Sequence, residues 1–399
     1  MTVADNYALE HEPFRISMLI YDKRYRSYTL QFITLGIFML VGAWLIDNVV
    51  NNLAALGKEF SFGFLFDPAS YDINQRLIEY TSRSPHWKAA VVGILNTLVI
   101  AFLGCILATF LGVLIGVARL SKNWLVSRLM TIYIEGFRNV PVLLWILLFS
   151  TAFSAALPSP RQAPVLLGSL VPTNRGFYIP APTWGDGAGI LAIIFLLSLV
   201  GVWLFRRWAA ARQAATGEIL PVFWISMAII ILPTLFMFFV LGRPVGLDYP
   251  ELKGFNFQGG LYVRSSFMAL WLGLSLYTAA FIAENVRAGI QAISKGQTEA
   301  SYSLGLPPNR TMNLVILPQA LRIIIPPLIS QYLNLTKNSS LAIAVGYMDV
   351  TGTLGGITLN QTGKEMECLL LLMAFYLTVS LLISAAMNVY NNAVSLKER

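Results

Sequence analysis

Charged residues are scarce in this chain, and that scarcity decides its class. Only 12% of the 399 residues are Asp, Glu, Lys or Arg, while 56% are hydrophobic and the mean hydropathy is +0.65. A soluble globular domain usually carries about twice that share of charged residues. The composition therefore argues against a water-soluble protein and predicts a membrane protein with several spans.

Cysteine and histidine are also rare, with two of each. Cys105 and Cys368 fall in apolar stretches, which argues against a disulfide framework or a thiolate metal site and favours small core residues. His11 and His86 lie outside the predicted spans, which argues against a membrane-embedded enzyme whose active site uses histidine. The phosphate-binding pattern G-x-x-x-x-G-K-[ST] is absent, so the chain lacks that ATP-binding motif.

The chain is rich in apolar runs of about 20 residues, the length that a helix needs to cross roughly 30 Å of hydrocarbon. These runs lack the alternating polarity of barrel strands. They predict an all-α transmembrane fold with about eight spans. The predicted spans are 28–50, 89–117, 129–153, 190–205, 221–241, 266–290, 323–345 and 368–389.

Basic residues are distributed unevenly between the two sides of these spans. The net charge is +8, but the bases are scattered between spans and form no single patch, which argues against nucleic acid. They are most frequent on the side of the N-terminus, which predicts that both termini are cytoplasmic. The bases that carry this bias are Arg119, Lys122, Arg128, Arg206, Arg207 and Arg212, with Arg15, Lys397 and Arg399 in the terminal segments.

Two regions are predicted to be additions to a smaller core of five spans. One is an N-terminal extension with one span and an outside loop, and the other is an insertion with two spans between Pro/Gly-rich loops. Within the insertion, the proline-rich stretch 158–189 predicts an irregular outside loop. The predicted segments are 1–88 (extension), 89–157 (first part of the core), 158–265 (insertion) and 266–399 (second part of the core).

The loop between the sixth and seventh spans, 291–320, has the local pattern of a short helix. Ser294, followed three residues later by Gln297, predicts a capping box at its start. Residues 295–304 contain a single glycine as breaker, and Gly305 before Leu-Pro-Pro is a strong stop signal. The loop therefore predicts a short amphipathic helix held between two transmembrane helices.

Polar residues inside the sixth and seventh spans are candidates for a transport path, because such groups are costly in hydrocarbon. Pro326 and Pro327 are predicted to interrupt the seventh span. Hydrogen bonds between helices, and a lysine side chain that reaches the interface, remain alternative roles. Glu284 and Arg287 are spaced to form an ion pair on one helix. The path candidates are Thr278, Asn334, Lys337, Asn338 and Ser339.

The loop also resembles a known signature. Glu299-Ala300-Ser301, then Gly305, then residues 315–318 ending in Leu-Pro are similar to the EAA motif of ABC importer permeases, with Ser301 and Val315 as modest departures. Flanking segments resemble the polar amino-acid permease family over about half of the chain. These segments are 97–121, 133–141, 276–290, 319–327 and 335–341. The extension and the insertion look like those of the larger of the paired permeases in broad-specificity L-amino-acid importers.

The resemblance implies a five-helix type I ABC permease core plus an N-terminal span and a two-span insertion. It implies a multi-pass protein of the bacterial inner membrane that is not an enzyme and binds no cofactor, with ATP and Mg on a separate ATPase dimer. The other implied partners are a second, homologous permease subunit in a heterodimer, a periplasmic amino-acid-binding protein, the L-amino-acid substrate and the lipid bilayer. The implied ATPase-coupling residues are Glu299, Ala300, Ser301, Gly305, Leu306 and Pro318.

A self-powered secondary transporter or channel remains the alternative function, although neither clear inverted repeats nor several buried carboxylates support it. Which amino acids pass stays open at this point, as does the question whether this chain or its partner holds the ligand. The choice between a homodimer and a heterodimer of permease subunits is open as well. The insertion has two open roles, docking of the binding protein or packing at the periphery.

Overall fold

The computed structural model describes residues 17–394. His11, Arg15, Lys397 and Arg399, which entered the predictions above, lie outside the described residues. The helices are α1 (Met18–Tyr21), α2 (Lys23–Ala55), α3 (His86–Arg119), α4 (Trp124–Asn139), α5 (Val142–Ala156), α6 (Ala188–Thr216), α7 (Val222–Val240), α8 (Ser265–Gln291), α9 (Lys295–Ser303), α10 (Pro308–Thr311), α11 (Leu317–Asn338), α12 (Leu359–Thr362) and α13 (Glu365–Val394).

The helices confirm the predicted all-α transmembrane class. Within the described part of the chain, seven helices are long and apolar enough to span a membrane, and a bent pair makes an eighth candidate. We call the end of the bundle that carries residues 291–320 the loop end. The opposite end, where the short strands lie, is the strand end.

Helix α8 lies at the centre of the core. Its most apolar window is 56% buried, whereas the corresponding window of α2 is 0% buried, so the described part of the chain leaves the apolar surface of α2 uncovered. Helices α3 and α8 pack closely because α3 has glycine at the contact. A Cβ atom on Gly116 would lie 2.6 Å from the carbonyl oxygen of Ala283, and one on Gly112 would lie 2.6 Å from Ile282. The absence of side chains at these positions lets the two backbones approach.

The third predicted span, 129–153, is two helices and not one. Helices α4 and α5 meet at 105° at the break between them. Proline causes the break, because Pro141 has no N–H to donate and disfavours helical backbone at the residue before it. Val140 accordingly has an extended conformation, with φ −111° and ψ 133°. At its other end α4 begins where the Asn123 side chain accepts the backbone N–H groups of Leu125 and Val126.

The predicted irregular loop at 158–189 is wrong in part, because it contains strands. The two loops that flank the α6–α7 hairpin lie side by side and pair with each other in antiparallel fashion, a contact between residues far apart in sequence. The sheets have the orders β1-β2-β7, β3-β4 and β5-β6. The strands are β1 (Val171–Thr173), β2 (Gly176–Ile179), β3 (Ala181–Trp184), β4 (Val245–Asp248), β5 (Glu251–Lys253), β6 (Asn256–Gln258) and β7 (Leu261–Arg264).

The predicted interruption of the seventh span at Pro326 and Pro327 is also wrong. Helix α11 continues through both prolines to Asn338, as transmembrane helices do when neighbouring helices and local adjustments satisfy the freed carbonyl groups. Wider, π-helical turns lie elsewhere, at Met312–Ile316 before α11 and at Thr351–Thr358. A 3₁₀ segment, Ser339–Val345, follows α11 and ends at Gly346.

The N-terminal extension packs on the strand end. Lys58, just after α2, forms an ion pair of 2.9 Å with Glu365 at the start of α13. His86, predicted outside the spans, is the first residue of α3 and is buried, with Nδ1 3.0 Å from the Thr358 hydroxyl group. The same hydroxyl group is 3.1 Å from the Tyr71 hydroxyl group, so the extension is tied to the Thr351–Thr358 segment.

Candidate functional site

The loop end carries the short helix predicted from the sequence. Helix α9 spans Lys295–Ser303, but its predicted capping box is wrong: Ser294 occupies the N-cap position without a side-chain hydrogen bond. The end of the helix is as expected. Gly305 has φ +76°, and the N–H groups of Gly305 and Leu306 donate to the carbonyl groups of Tyr302 and Ser301, at 2.9 Å and 3.1 Å. This pair of bonds is a Schellman motif, which turns the chain sharply.

Most of the predicted coupling residues are exposed, and one is buried. Glu299, Ala300, Gly305 and Pro318 are exposed, and Leu306 is half-buried. Ser301 is buried, and its hydroxyl group donates to the carbonyl oxygen of Gln297 at 2.7 Å. Ser301 therefore lies on the buried side of the helix, whereas the exposed set is free to contact a partner.

Two exposed side chains on this surface escaped the sequence prediction. Leu304 is 82% exposed and Tyr302 is 50% exposed, although both are hydrophobic. They lie at the C-terminal turn of α9 beside the predicted residues. The sequence did contain a signal for them, because Leu304 is an apolar residue at the end of a polar helix. Exposed apolar residues of this kind indicate a contact surface.

The loop is braced against the bundle on both sides. Gly289 near the end of α8 lies so close to Ile324 of α11 that an added Cβ would be 2.3 Å from Cγ1 of Ile324. Within the loop, Gln319 donates to Gln297 at 3.4 Å, and Thr311 donates to the carbonyl oxygen of Leu306 at 3.5 Å. A displacement of α9 therefore reaches α8 and α11 directly.

The structure separates the five predicted path residues into two groups. Asn334 and Lys337 are exposed on one face of α11, and Asn338 is half-buried. Thr278 and Ser339 are buried, and the Ser339 hydroxyl group donates to the carbonyl oxygen of Thr336 at 2.7 Å. A role in helix packing thus suits the second group better than contact with a ligand.

Asn334 and Lys337 belong to a longer exposed stripe on α11. With Ile323, Pro327 and Ser330 they follow spacings of four and three residues, so all five side chains share one helix face. Ser330 was missed because a single serine in a span is unremarkable by sequence. A lysine and an asparagine facing hydrocarbon would be unfavourable, so this face is adjacent to water or to another protein.

A buried carboxylate lies at the strand end, beyond the end of α11. Asp349 is fully buried, and its Oδ1 accepts the backbone N–H of Gly352 at 2.8 Å. Among the described residues its Oδ2 has no hydrogen-bond partner. Burial raises the pKa of Asp349 to about 6, although the N–H bonds that it accepts oppose this shift. This aspartate gave no signal in the sequence, because one aspartate between two spans resembles an ordinary loop residue.

A charged cluster lies at the loop end. The predicted pair is confirmed, with Arg287 donating to Glu284 at 2.8 Å. Arg119, at the end of α3, also forms an ion pair with Glu284, and it lies 3.9 Å from Glu135 of α4. The contacts of Arg119 with Glu284 and Glu135 were not predictable from local spacing, because these residues are distant along the chain. In the part of the chain that the structure describes, no group of three or more His, Cys, Asp or Glu could hold a metal ion.

Comparison with known proteins agrees with these features. Residues 206–396 match the model of the family described as binding-protein-dependent transport system inner membrane component. The glutamate/glutamine/aspartate/asparagine transport system permease protein BztB of Rhodobacter capsulatus is 52% identical, and the match covers 97% of each chain. The general L-amino acid transport system permease protein AapQ of Rhizobium johnstonii is 45% identical, over 97% of this chain and 96% of that protein.

Among solved structures, the crystal structure of an amino acid ABC transporter with histidines aligns over 77% of this chain and 95% of that chain, at 19% identity and a TM-score of 0.46. The similarity that identifies the family is the one in sequence, because it extends over nearly the whole chain at about half identity. The chain therefore belongs to the family of binding-protein-dependent inner-membrane transport components, and it is a multi-pass permease subunit of an ABC importer.

Proposed function

We propose that this subunit carries L-amino acids across the bacterial inner membrane in a complex with an ATPase dimer that binds ATP and Mg. A second, homologous permease subunit completes the path in a heterodimer, and a periplasmic binding protein delivers the substrate. The loop with α9 receives the movement of the ATPase. This division of labour agrees with the absence of a phosphate-binding loop in the sequence.

The observation that carries the proposal is the construction of the loop end. Glu299, Ala300 and Leu304 are exposed on a short helix, while Ser301 is buried and the Gln319 side chain connects the helix to α11 by donating to Gln297 at 3.4 Å. An element of this kind has an outward contact surface and an inward connection to the bundle. Closure of the ATPase pair then favours one arrangement of the bundle over the other through its different contacts in the two.

The class of substrate is supported by the relatives and by the stripe on α11. The names of the two relatives described above specify amino acids, and both proteins match this chain over nearly its whole length. On the stripe, Lys337 offers an ammonium group, and Asn334 and Ser330 offer neutral hydrogen-bonding groups. An amino-acid carboxylate is a suitable ligand for that lysine.

The same stripe supports the heterodimer. A polar face on a membrane-spanning helix needs a partner other than lipid, and a second permease subunit with a path between the two meets that need. The proposed orientation follows from the bases at the loop end, including Arg119, Arg206 and Arg207. It places the loop end, and with it both termini, on the cytoplasmic side.

The test is reconstitution of the complex with its ATPase, its second permease and its binding protein in lipid vesicles. We expect uptake that requires ATP, and we expect Glu299→Lys and Leu304→Ser to reduce both ATPase binding and uptake. Glu251→Lys, an equal change of charge on exposed strand β5 at the strand end, serves as the matched control for ATPase binding. The proposal is wrong if vesicles that contain only this chain accumulate amino acids uphill, or if Glu299→Lys and Leu304→Ser behave like the control.

A further inference from the structure

The charged cluster at the loop end joins three helices that are separate in sequence. The Arg119 guanidinium group at the end of α3 pairs with Glu284 of α8 and lies 3.9 Å from Glu135 of α4. Glu284 also accepts a hydrogen bond from Arg287, one turn further along α8. The two arginines and two glutamates have opposite charges, so the cluster as a whole is neutral.

The cluster is too enclosed to be an ordinary surface ion pair. The side chain of Arg119 is 13% exposed, and those of Glu284 and Arg287 are 26% and 31% exposed. Glu284 precedes the end of α8 by seven residues, which places it about 10 Å along the helix from the loop. Ionisable groups at such depth are expensive, and they persist where they serve a function.

The members of the cluster differ in how firmly they are held. Helices α3 and α8 are already in close contact at Gly116, next to the cluster, where an added Cβ would be 2.6 Å from the carbonyl oxygen of Ala283. Helix α4 contacts α8 through the Tyr133 hydroxyl group, which donates to the carbonyl oxygen of Leu276 at 2.6 Å. Its member of the cluster is held less tightly, since Glu135 is 52% exposed and lies 3.9 Å from Arg119. Beyond Glu135, α4 leads to the 105° bend and α5.

The position of the cluster relates it to the loop. Helix α8 runs from Glu284 without a break to Gln291, where residues 291–320 begin. A displacement of α9 that reaches α8 is thus transmitted along this helix to Glu284. From there the Arg119 side chain offers a direct electrostatic connection to α3 and to α4.

We propose that Arg119 is a positioning residue for transport: its guanidinium group links the loop ends of α3 and α4 to Glu284, so that the three helices move together when the loop is displaced. This inference rests on the proposed function of the loop. Loss of the link weakens the connection between these helices, so that α4 and the bent helix beyond it follow α8 less closely when the ATPase moves it. Hydrolysis then continues with less substrate moved for each ATP.

The charges in the cluster predict that four variants lose transport coupling to different extents. Glu284→Gln leaves Arg119 and Arg287 without their shared carboxylate, so it is the most damaging change. Arg119→Gln leaves the Glu284–Arg287 pair intact, so it is milder. In the double variant Arg119→Gln/Glu284→Gln, removal of the surplus arginine relieves part of the damage. Glu135→Gln affects only the connection to α4, so it causes the smallest loss of the four.

The experiment measures amino acid transported per ATP hydrolysed, in purified complexes that retain all subunits. We expect Glu284→Gln to lower this ratio by about tenfold. The ratio of the double variant should be about threefold higher than that of Glu284→Gln, because neighbouring residues that interact have non-additive effects. Arg128→Gln, an exposed arginine at the start of α4, is the matched control and keeps the wild-type ratio. Thermal unfolding of each complex separates a change of coupling from loss of folding.

Additive losses in the double variant overturn the inference, as does a normal ratio in every assembled variant. If Glu284→Gln fails to assemble, Arg119→Gln becomes the deciding variant. Its ratio of amino acid transported to ATP hydrolysed must then fall, while that of Arg128→Gln stays at the wild-type value. Failure of the proposed function is distinguishable from these results, because the wild-type complex itself would then show no ATP-dependent uptake.

Discussion

Leu306 donates its backbone N–H to the carbonyl oxygen of Ser301 at 3.1 Å, which closes the turn at the end of α9. Ser301 is buried and Leu306 is half-buried, so this bond joins the buried side of the helix to the residue at its exit. The bond requires the left-handed backbone of Gly305, at φ +76°. The shape of the proposed ATPase contact therefore depends on one glycine.

The first prediction concerns that glycine. Gly305→Ala places a Cβ atom on a left-handed residue, which costs roughly 1 kcal/mol and favours other conformations of the turn. We expect the affinity for the ATPase to fall about fivefold. The measurement is a titration of the purified permease with its ATPase. Gly296→Ala, inside α9, is the control and leaves binding unchanged; equal effects at the two glycines contradict the prediction.

The second prediction concerns Lys337 on the exposed stripe of α11. Lys337→Gln removes the proposed partner of the substrate carboxylate, and a charge-assisted hydrogen bond contributes about 1.5–3 kcal/mol. We expect amino-acid uptake at saturating binding protein to fall about tenfold or more. Lys253→Gln, on exposed strand β5, is the control for a lost lysine. Uptake at the wild-type rate in Lys337→Gln removes this residue from the path.

The third prediction concerns the pH dependence of stability at Asp349. Burial raises the pKa of this carboxyl group in the folded protein to about 6, from an ordinary value of 3.8. The folded state therefore holds a proton that the unfolded state has released between about pH 4 and pH 6, and stability falls as the pH rises through that interval. The full loss is at most about 3 kcal/mol.

Asp349→Asn cannot lose that proton, and its amide oxygen still accepts the N–H of Gly352. We expect the thermal unfolding midpoint of the variant in detergent to fall less than that of the wild type between pH 4.5 and pH 7. Asp72→Asn, which removes an exposed carboxylate at the same end of the molecule, retains the wild-type difference. A parallel pH dependence in wild type and Asp349→Asn contradicts the assignment.

The fourth prediction concerns the contact between α3 and α8. Gly116→Ala places a methyl group 2.6 Å from the carbonyl oxygen of Ala283, so the helices must separate. Overpacking of this kind costs about 1–3 kcal/mol, and we expect a lower unfolding temperature. Gly136→Ala on α4 meets nothing within 4 Å and provides the control. If both variants unfold at the wild-type temperature, the close approach of α3 and α8 is not needed for stability.

Local patterns predicted much of the molecule. The long apolar runs predicted the spans, Gly305 predicted the end of α9, and the spacing of Glu284 and Arg287 predicted their ion pair. Each depends on residues within one or two helical turns, where geometry follows from the chain itself. Pro141 carried a comparable signal for the bend after α4, which the apolar run around it concealed.

Relationships between distant residues were not predictable in this way. Arg119 reaches Glu284 across 165 positions, and β2 pairs with β7 across the whole α6–α7 hairpin. The prediction of an interruption at Pro326 and Pro327 failed because tertiary surroundings in a bundle tolerate proline within a helix. The coupling and path roles of the predicted residues stay predictions.

By itself the sequence determined that this chain crosses a membrane through helices and carries a short helix with a sharp exit between two of them. Hydropathy and backbone preference act over a few residues, so a single chain segment contains that information. Only the tertiary structure decided that Ser339 is buried while Lys337 is exposed, that Asp349 lacks a partner for one oxygen, and that Arg119 meets Glu284. Burial and charge pairing depend on which helices become neighbours, and that is a property of the packed bundle.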